Sequence, residues 1–158
     1  MSATEARPER TRRPSPRRLA RELAAQVLYG WLLNPRAAAD IKRDARLEED
    51  FRQVDAGLFD QLVDGVTAGA EGLRASLAPL LDRRLEQLSP VEHAILLMGA
   101  LELSAHVETP YRVVINEAVE VARTFGGTDG HRFVNGVLDR LAAVTRPAEV
   151  QGRSGRAP

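Results

Sequence analysis

Apolar residues recur along this chain at spacings of three and four, the period of a helix face, and no run alternates strictly with period two. The first periodic segment runs from about Pro16 to Leu33 and is stopped by Asn34-Pro35, because the residue before a proline is pushed out of the helical region. Within it Leu19, Leu23, Val27 and Trp31 recur every fourth residue and share a face with Ala20 and Gly30. At about 100° per residue, Arg18, Arg21, Glu22, Ala25 and Tyr29 fall on the opposite side, the predicted solvent face. A more polar helix is predicted from Arg36 to Glu49. A third begins near Asp55 and carries Leu58, Phe59, Leu62, Val63, Val66 and Ala70. It continues, broken around Gly69 and Gly72, through Leu73, Leu77 and Leu80, and a short helix follows around Arg83 to Leu88.

Ser89-Pro90-Val91-Glu92 is a helix start: Ser89 can cap, Pro90 suits the first turn, and Glu92 can reach back to close a capping box. The helix it opens is apolar on most sides from Ala94 to Leu101, which makes it the central, buried one. Thr109-Pro110 repeats the start for a helix with the core stripe Ile115, Ala118, Val119, Ala122 and Phe125, ended by Gly126-Gly127. Thr128 or Asp129 can cap the last helix, in which Val134, Val137, Leu138, Leu141 and Val144 repeat. The pattern predicts an all-α fold, a compact bundle of about seven helices joined by short loops.

Residues 1–15 lack this periodicity and read as a disordered basic arm. Residues 16–146 form the helical domain, and the polar stretch 147–158 reads as a flexible tail. The 158 residues suit one domain, and 44% hydrophobic with 28% charged is a globular composition. The absence of cysteine removes disulfide frameworks, thiolate metal sites and a thiol nucleophile, and fits a reducing cytoplasmic setting. The longest apolar run, Ala94–Leu101, is eight residues, far below the roughly 20 that cross a bilayer. The formal net charge of zero hides an asymmetry: residues 1–21 hold seven arginines against Glu5 and Glu9, net +5, so the remainder carries −5. A basic arm on an acidic body points to a polyanionic partner at one end.

Enzyme constellations are thin. His93, His106 and His131 have no metal-ligand spacing, and no GxSxG elbow surrounds any serine. Glu117 and Glu120 share a helix face, an arrangement more usual on solvated faces than in catalytic sites. Gly126-Gly127-Thr128-Asp129-Gly130 precedes a helix but follows another helix and lacks the P-loop lysine, so a cap-to-cap turn explains it better than a phosphate cradle. No catalytic site, cofactor site or metal site is expected. Nucleic-acid binding fares better: Arg17, Arg18 and Arg21 follow the basic arm directly, and Tyr29 lies further along the face of Arg18 and Arg21. Arginine pairs with phosphates or stacks on bases, and tyrosine offers a ring to unstacked bases. A solvated face with one amphipathic tyrosine is the plain alternative.

Three blocks, RRLARELAAQVLYGWLL, LSPVEHAILLMGALEL and TPYRVVINEAVEVARTFGGTDGHRFVNGVLDRLA, resemble in order the bacterial NusB transcription antitermination family, over about Pro16 to Val144 with a gap at roughly Pro35 to Ala75. The resemblance implies two small helical subdomains. It also implies binding of boxA single-stranded RNA of ribosomal RNA leaders as a heterodimer with NusE, a small-subunit ribosomal protein, within the RNA polymerase elongation complex with other Nus factors. Residue by residue, it places RNA-facing positions on Arg17, Arg18, Arg21 and Tyr29, and on Asp129, Arg132 and Phe133. Glu92 matches a position associated with NusE contact, beside its capping role, and Phe133 is equally placed to be core. Asn116 and Asn135 read as packing hydrogen bonders. A NusB-like domain also begins some ribosomal RNA cytosine methyltransferases, but no βαβ unit, glycine-rich cofactor loop or catalytic cysteine stands in this sequence. A helical interaction module without RNA binding is the third reading, against which Arg18, Arg21 and Tyr29 argue.

Overall fold

The computed structural model describes residues 13–125, 127 and 129–154, with the side chains of 153 and 154 excepted. Among them are seven α-helices: α1 (Pro16–Leu33), α2 (Ala38–Arg46), α3 (Ala56–Leu77), α4 (Pro90–Ala105), α5 (Tyr111–Phe125), α6 (Gly130–Thr145) and α7 (Pro147–Ser154). Helix starts follow local chemistry. Ser15 Oγ accepts from Arg18 N at 3.1 Å, Asp55 Oδ1 from Leu58 N at 3.0 Å, and Ser89 Oγ from Glu92 N at 3.2 Å, each relieving one of the unpaired N–H groups of a first turn.

Helix α4 is the hub. Ala94–Ala100 are all buried, and α4 packs on α1, α3, α5 and α6. At Gly99 α6 packs tightly, since a Cβ there would stand 2.7 Å from Leu138 Cδ1. Phe59, Leu62, Val63 and Val66 of α3 close the core on one side; Ile115, Val121, Val137 and Leu138 close it on the other.

Several expectations are corrected. Helix α2 is shorter than Arg36–Glu49 and gives way to a 3-10 turn at Glu49–Gln53. Helix α3 runs unbroken past Gly69 and Gly72. The predicted helix at Arg83–Leu88 is only a 3-10 turn over Leu85–Gln87. Val144, expected in the core, is exposed, and Tyr111, absent from the expected core stripe, is buried.

The stretch from Pro147, read as a loose tail, forms α7, and two side chains tie it to the bundle. Buried Arg146 donates to the carbonyls of Glu102, Leu103, His106 and Thr109 at 2.6–2.9 Å, and so satisfies the open carbonyl end of α4. Glu149 accepts from Arg146 at 3.1 Å and from the N–H of Tyr111 at 2.8 Å, which places a carboxylate on the first turn of α5.

Candidate nucleic-acid interface

On α1 the buried positions are Ala20, Arg21, Ala24, Ala25 and Leu28. Leu19, Leu23, Val27 and Trp31, the predicted core stripe, are only partly buried and line a groove of about 690 Å³ with Ile41, Phe51 and Val54. The buried face is therefore rotated by about 100°, one residue's turn, from the stripe of large apolar side chains.

That rotation decides the fate of the arginines. Arg17 is exposed, 3.6 Å from the Asp55 carboxylate. Arg18 lies at the edge, forked onto Glu117 of α5 through Nε and Nη2, both at 3.0 Å. The Glu117 bond holds its guanidinium above the ordinary arginine range. Arg21, expected on the solvent face as an RNA contact, is 3% exposed and forked onto Glu102 of α4 at 3.1 and 2.8 Å. The expected placement of Arg21 on the solvent face is thereby corrected. Burial pushes the Glu102 carboxyl up, but His106 and the Arg21 fork outweigh it, and the group lies below the usual glutamate range. Glu117 thus has a structural partner in Arg18, with Arg21 Nη1 at 4.0 Å. Nearby Glu22 is shifted up, first by burial.

Tyr29 stays on the outside, 39% exposed. Helix α1 runs antiparallel to α4: Arg21 meets Glu102 near the end of α4, while Leu32 and Leu33 share a cavity with Pro90 and His93 at its start. Tyr29 therefore lies toward the end of the bundle where α4 begins, about 18 Å along the axis from Arg17. The start of α6 lies at that end too, since a Cβ on Gly130 would stand 3.2 Å from Glu92 Oε1. Ser89 caps α4 as expected, and the Glu92 carboxylate is directed toward α6.

Asp129, the N-cap of α6, is exposed and makes no side-chain cap bond. Gly126 and Thr128 lie outside the described residues, as do Arg7, Arg10 and Arg12 of the arm. Arg132 is exposed and makes no ion pair among the described residues. Phe133 is half-buried against the core, with the Arg83 guanidinium 4.2 Å from its ring centroid. Arg83 was missed in the sequence because nothing local connects it to Phe133, fifty residues on. Arg17 and Arg18 therefore lie toward one end of the bundle, and Tyr29, Asp129, Arg132 and Phe133 toward the other, with Arg21 buried between α1 and α4.

No group of three or more His, Asp or Glu among the described residues is placed to hold a metal ion. No described helix is long and apolar enough to cross a membrane. His93 accepts from Arg74 Nε at 3.1 Å, and its pKa is lowered by burial and then by the Arg74 charge.

Comparison with known proteins completes the picture. The chain is 53% identical over 139 residues to the transcription antitermination protein NusB of Burkholderia ambifaria, covering 88% of this chain and 96% of that one. The NusB of Bordetella pertussis is also 53% identical, over 146 residues, with 90% and 95% covered. The fold matches a solved T. maritima NusB with a TM-score of 0.75 at 23% identity, covering 88% and 99% of the two chains. It also matches a chain of a crystal structure of antitermination factors NusB and NusE in complex with dsRNA, with a TM-score of 0.72 at 24% identity, covering 82% and 97%. The NusB family model spans residues 18–143, from the Arg18 fork through α6, and on this ground the chain belongs to the NusB family.

Proposed function

We propose that this protein is a transcription antitermination factor that binds boxA single-stranded RNA of ribosomal RNA leaders together with NusE, and so supports processive transcription by RNA polymerase with other Nus factors. The observation that carries this reading is 53% identity with NusB antitermination proteins over the 139 to 146 residues aligned. The exposed residues of α1 and α6 supply the chemistry. Arg17 and Arg132 present guanidinium groups to phosphates, and Tyr29 presents a ring to an unstacked base. Arg18 is shared between Glu117 and RNA. Phe133 presents the exposed part of its ring, and Asp129 offers an acceptor at the start of α6. Glu92, at the same end, faces NusE. The role is a binding one in the cytoplasm, where bacterial transcription takes place, with no reaction catalysed.

A titration of the protein, with and without NusE, against boxA RNA, a scrambled strand of equal length and a duplex tests this. The expected result is tightest binding to single-stranded boxA in the presence of NusE. Equal affinity for boxA and scrambled RNA contradicts sequence-specific reading.

A further inference from the structure

The linker between α3 and α4 carries a cation aligned with the start of α6. Arg140 of α6 donates Nε and Nη2 to the Leu80 carbonyl at 3.2 and 2.9 Å, which pins the linker against α6. Three residues further on, Arg83 donates Nε to Asp82 Oδ1 at 2.9 Å, and its guanidinium carbon sits 4.2 Å from the centroid of the Phe133 ring. A cation in that position is attracted by the ring's negative face. The Arg83 side chain is nonetheless 40% exposed. Phe133 therefore does not offer a bare ring to solvent on this side; the outer surface is the guanidinium.

We infer that Arg83 is a further RNA-contacting residue, its guanidinium laid on Phe133 and held by Asp82 as a platform for an unstacked base of single-stranded RNA. The inference rests on the RNA-binding reading above and adds to α1 and α6 a further element, the α3–α4 linker. A guanidinium is planar and weakly hydrated, so one side can lie on an aromatic ring while the other receives a base. Phe133, Asp82 and the Arg140 clamp hold the group in place before RNA arrives, which lowers the ordering cost of the contact. A lysine keeps the charge and loses the plane. Because Asp82 already offsets the charge, the contact works by stacking more than by displacing counterions.

The test compares wild type, Arg83→Ala, Arg83→Lys and Arg132→Ala as full chains with NusE. The probe is a boxA RNA oligonucleotide with single 2-aminopurine substitutions, titrated at several salt concentrations. Loss of a base–platform stack of about 1–3 kcal/mol corresponds to roughly five- to hundredfold weaker binding for Arg83→Ala. Arg83→Lys is expected to recover little of it. In both variants the wild-type salt slope should persist, while the quenching of one 2-aminopurine position is lost. Arg132→Ala, a phosphate contact, lowers the slope by about 0.7. Binding by Arg83→Ala within twofold of wild type overturns the inference. So does full recovery by Arg83→Lys, or a slope that falls with Arg83→Ala, since either makes Arg83 a point charge. If wild type with NusE fails to bind RNA while folded, the RNA reading itself falls, and the inference with it.

Discussion

Replacing Arg21 by methionine separates a buried strut from a surface contact. The guanidinium and the Glu102 carboxylate are both nearly enclosed and joined by two hydrogen bonds at 3.1 and 2.8 Å, with His106 Nδ1 3.9 Å from Oε1. Removing one member strands the other charge in the core, a loss of about 3–5 kcal/mol. With an unfolding entropy near 2.1 cal/mol/K per residue, a domain of roughly 140 residues loses about 3–4 °C per kcal/mol, so Tm should fall by about 10–17 °C. The double variant Arg21→Met with Glu102→Leu removes both charges and should recover most of that loss, giving a clear coupling in a double-mutant cycle. The pH dependence follows with its sign. The folded-state pKa of Glu102 is depressed, so its contribution is present above the ordinary glutamate value near 4.3 and is lost as the pH falls through the folded value. In Arg21→Met the lowering by Arg21 is gone while burial still raises the pKa, so the stability that Glu102 contributes above about 4.3 should shrink. Thermal melts across pH and boxA titrations of the folded protein are the assays. A Tm within about 3 °C of wild type together with weakened RNA binding would refute the reasoning, because it would make Arg21 a surface contact.

Three further outcomes are expected. Arg146→Met removes the donor to four carbonyls and to Glu149, and should cost about 3 kcal/mol or more in denaturant unfolding. His93, whose folded pKa is lowered, contributes stability above its ordinary value near 6.5 that is lost as the pH falls through the folded value; Tm should rise with pH across that window, and His93→Gln should flatten it. Tyr29→Ala should weaken boxA binding by roughly five- to hundredfold with little change in Tm, whereas Val27→Ala should lower stability by about 1–3 kcal/mol and leave the affinity of the folded protein alone.

The ends of α1 and the starts of α4 and α6 were legible because prolines and N-cap residues mark them locally: Pro16, Asn34-Pro35, Ser89-Pro90 and Asp129. The buried face of α1 was misread because burial was assigned by size. The positions that go in are Ala20, Arg21, Ala24, Ala25 and Leu28, and the three alanines are small enough to let α1 approach its neighbours closely. The large residues Leu23, Val27 and Trp31 flank that contact and face α2 and Phe51 instead. Arg21 was read as solvated since lone helix charges usually are. The signal against this was Glu102, an acid inside the otherwise apolar α4, which requires a buried counter-charge. Nothing local foretells α7, whose anchors Arg146 and Glu149 reach across about forty residues to the ends of α4 and α5. For the interface, Tyr29 and Arg132 were legible as exposed positions, whereas the placement of Arg83 on Phe133 depends on how the α3–α4 linker folds against α6.

The central claim is that RNA lies along the exposed edge of α1 and the start of α6, away from the groove lined by Leu23, Val27 and Trp31. Photo-crosslinking of boxA RNA to the NusE heterodimer, mapped by mass spectrometry, tests it most directly. Crosslinks are expected on peptides carrying Arg17, Arg18 and Tyr29 and on Asp129–Phe133, with Tyr29 itself modified. Crosslinks centred on Trp31, Phe51 and the groove, with Tyr29 and Arg132 untouched, would contradict it.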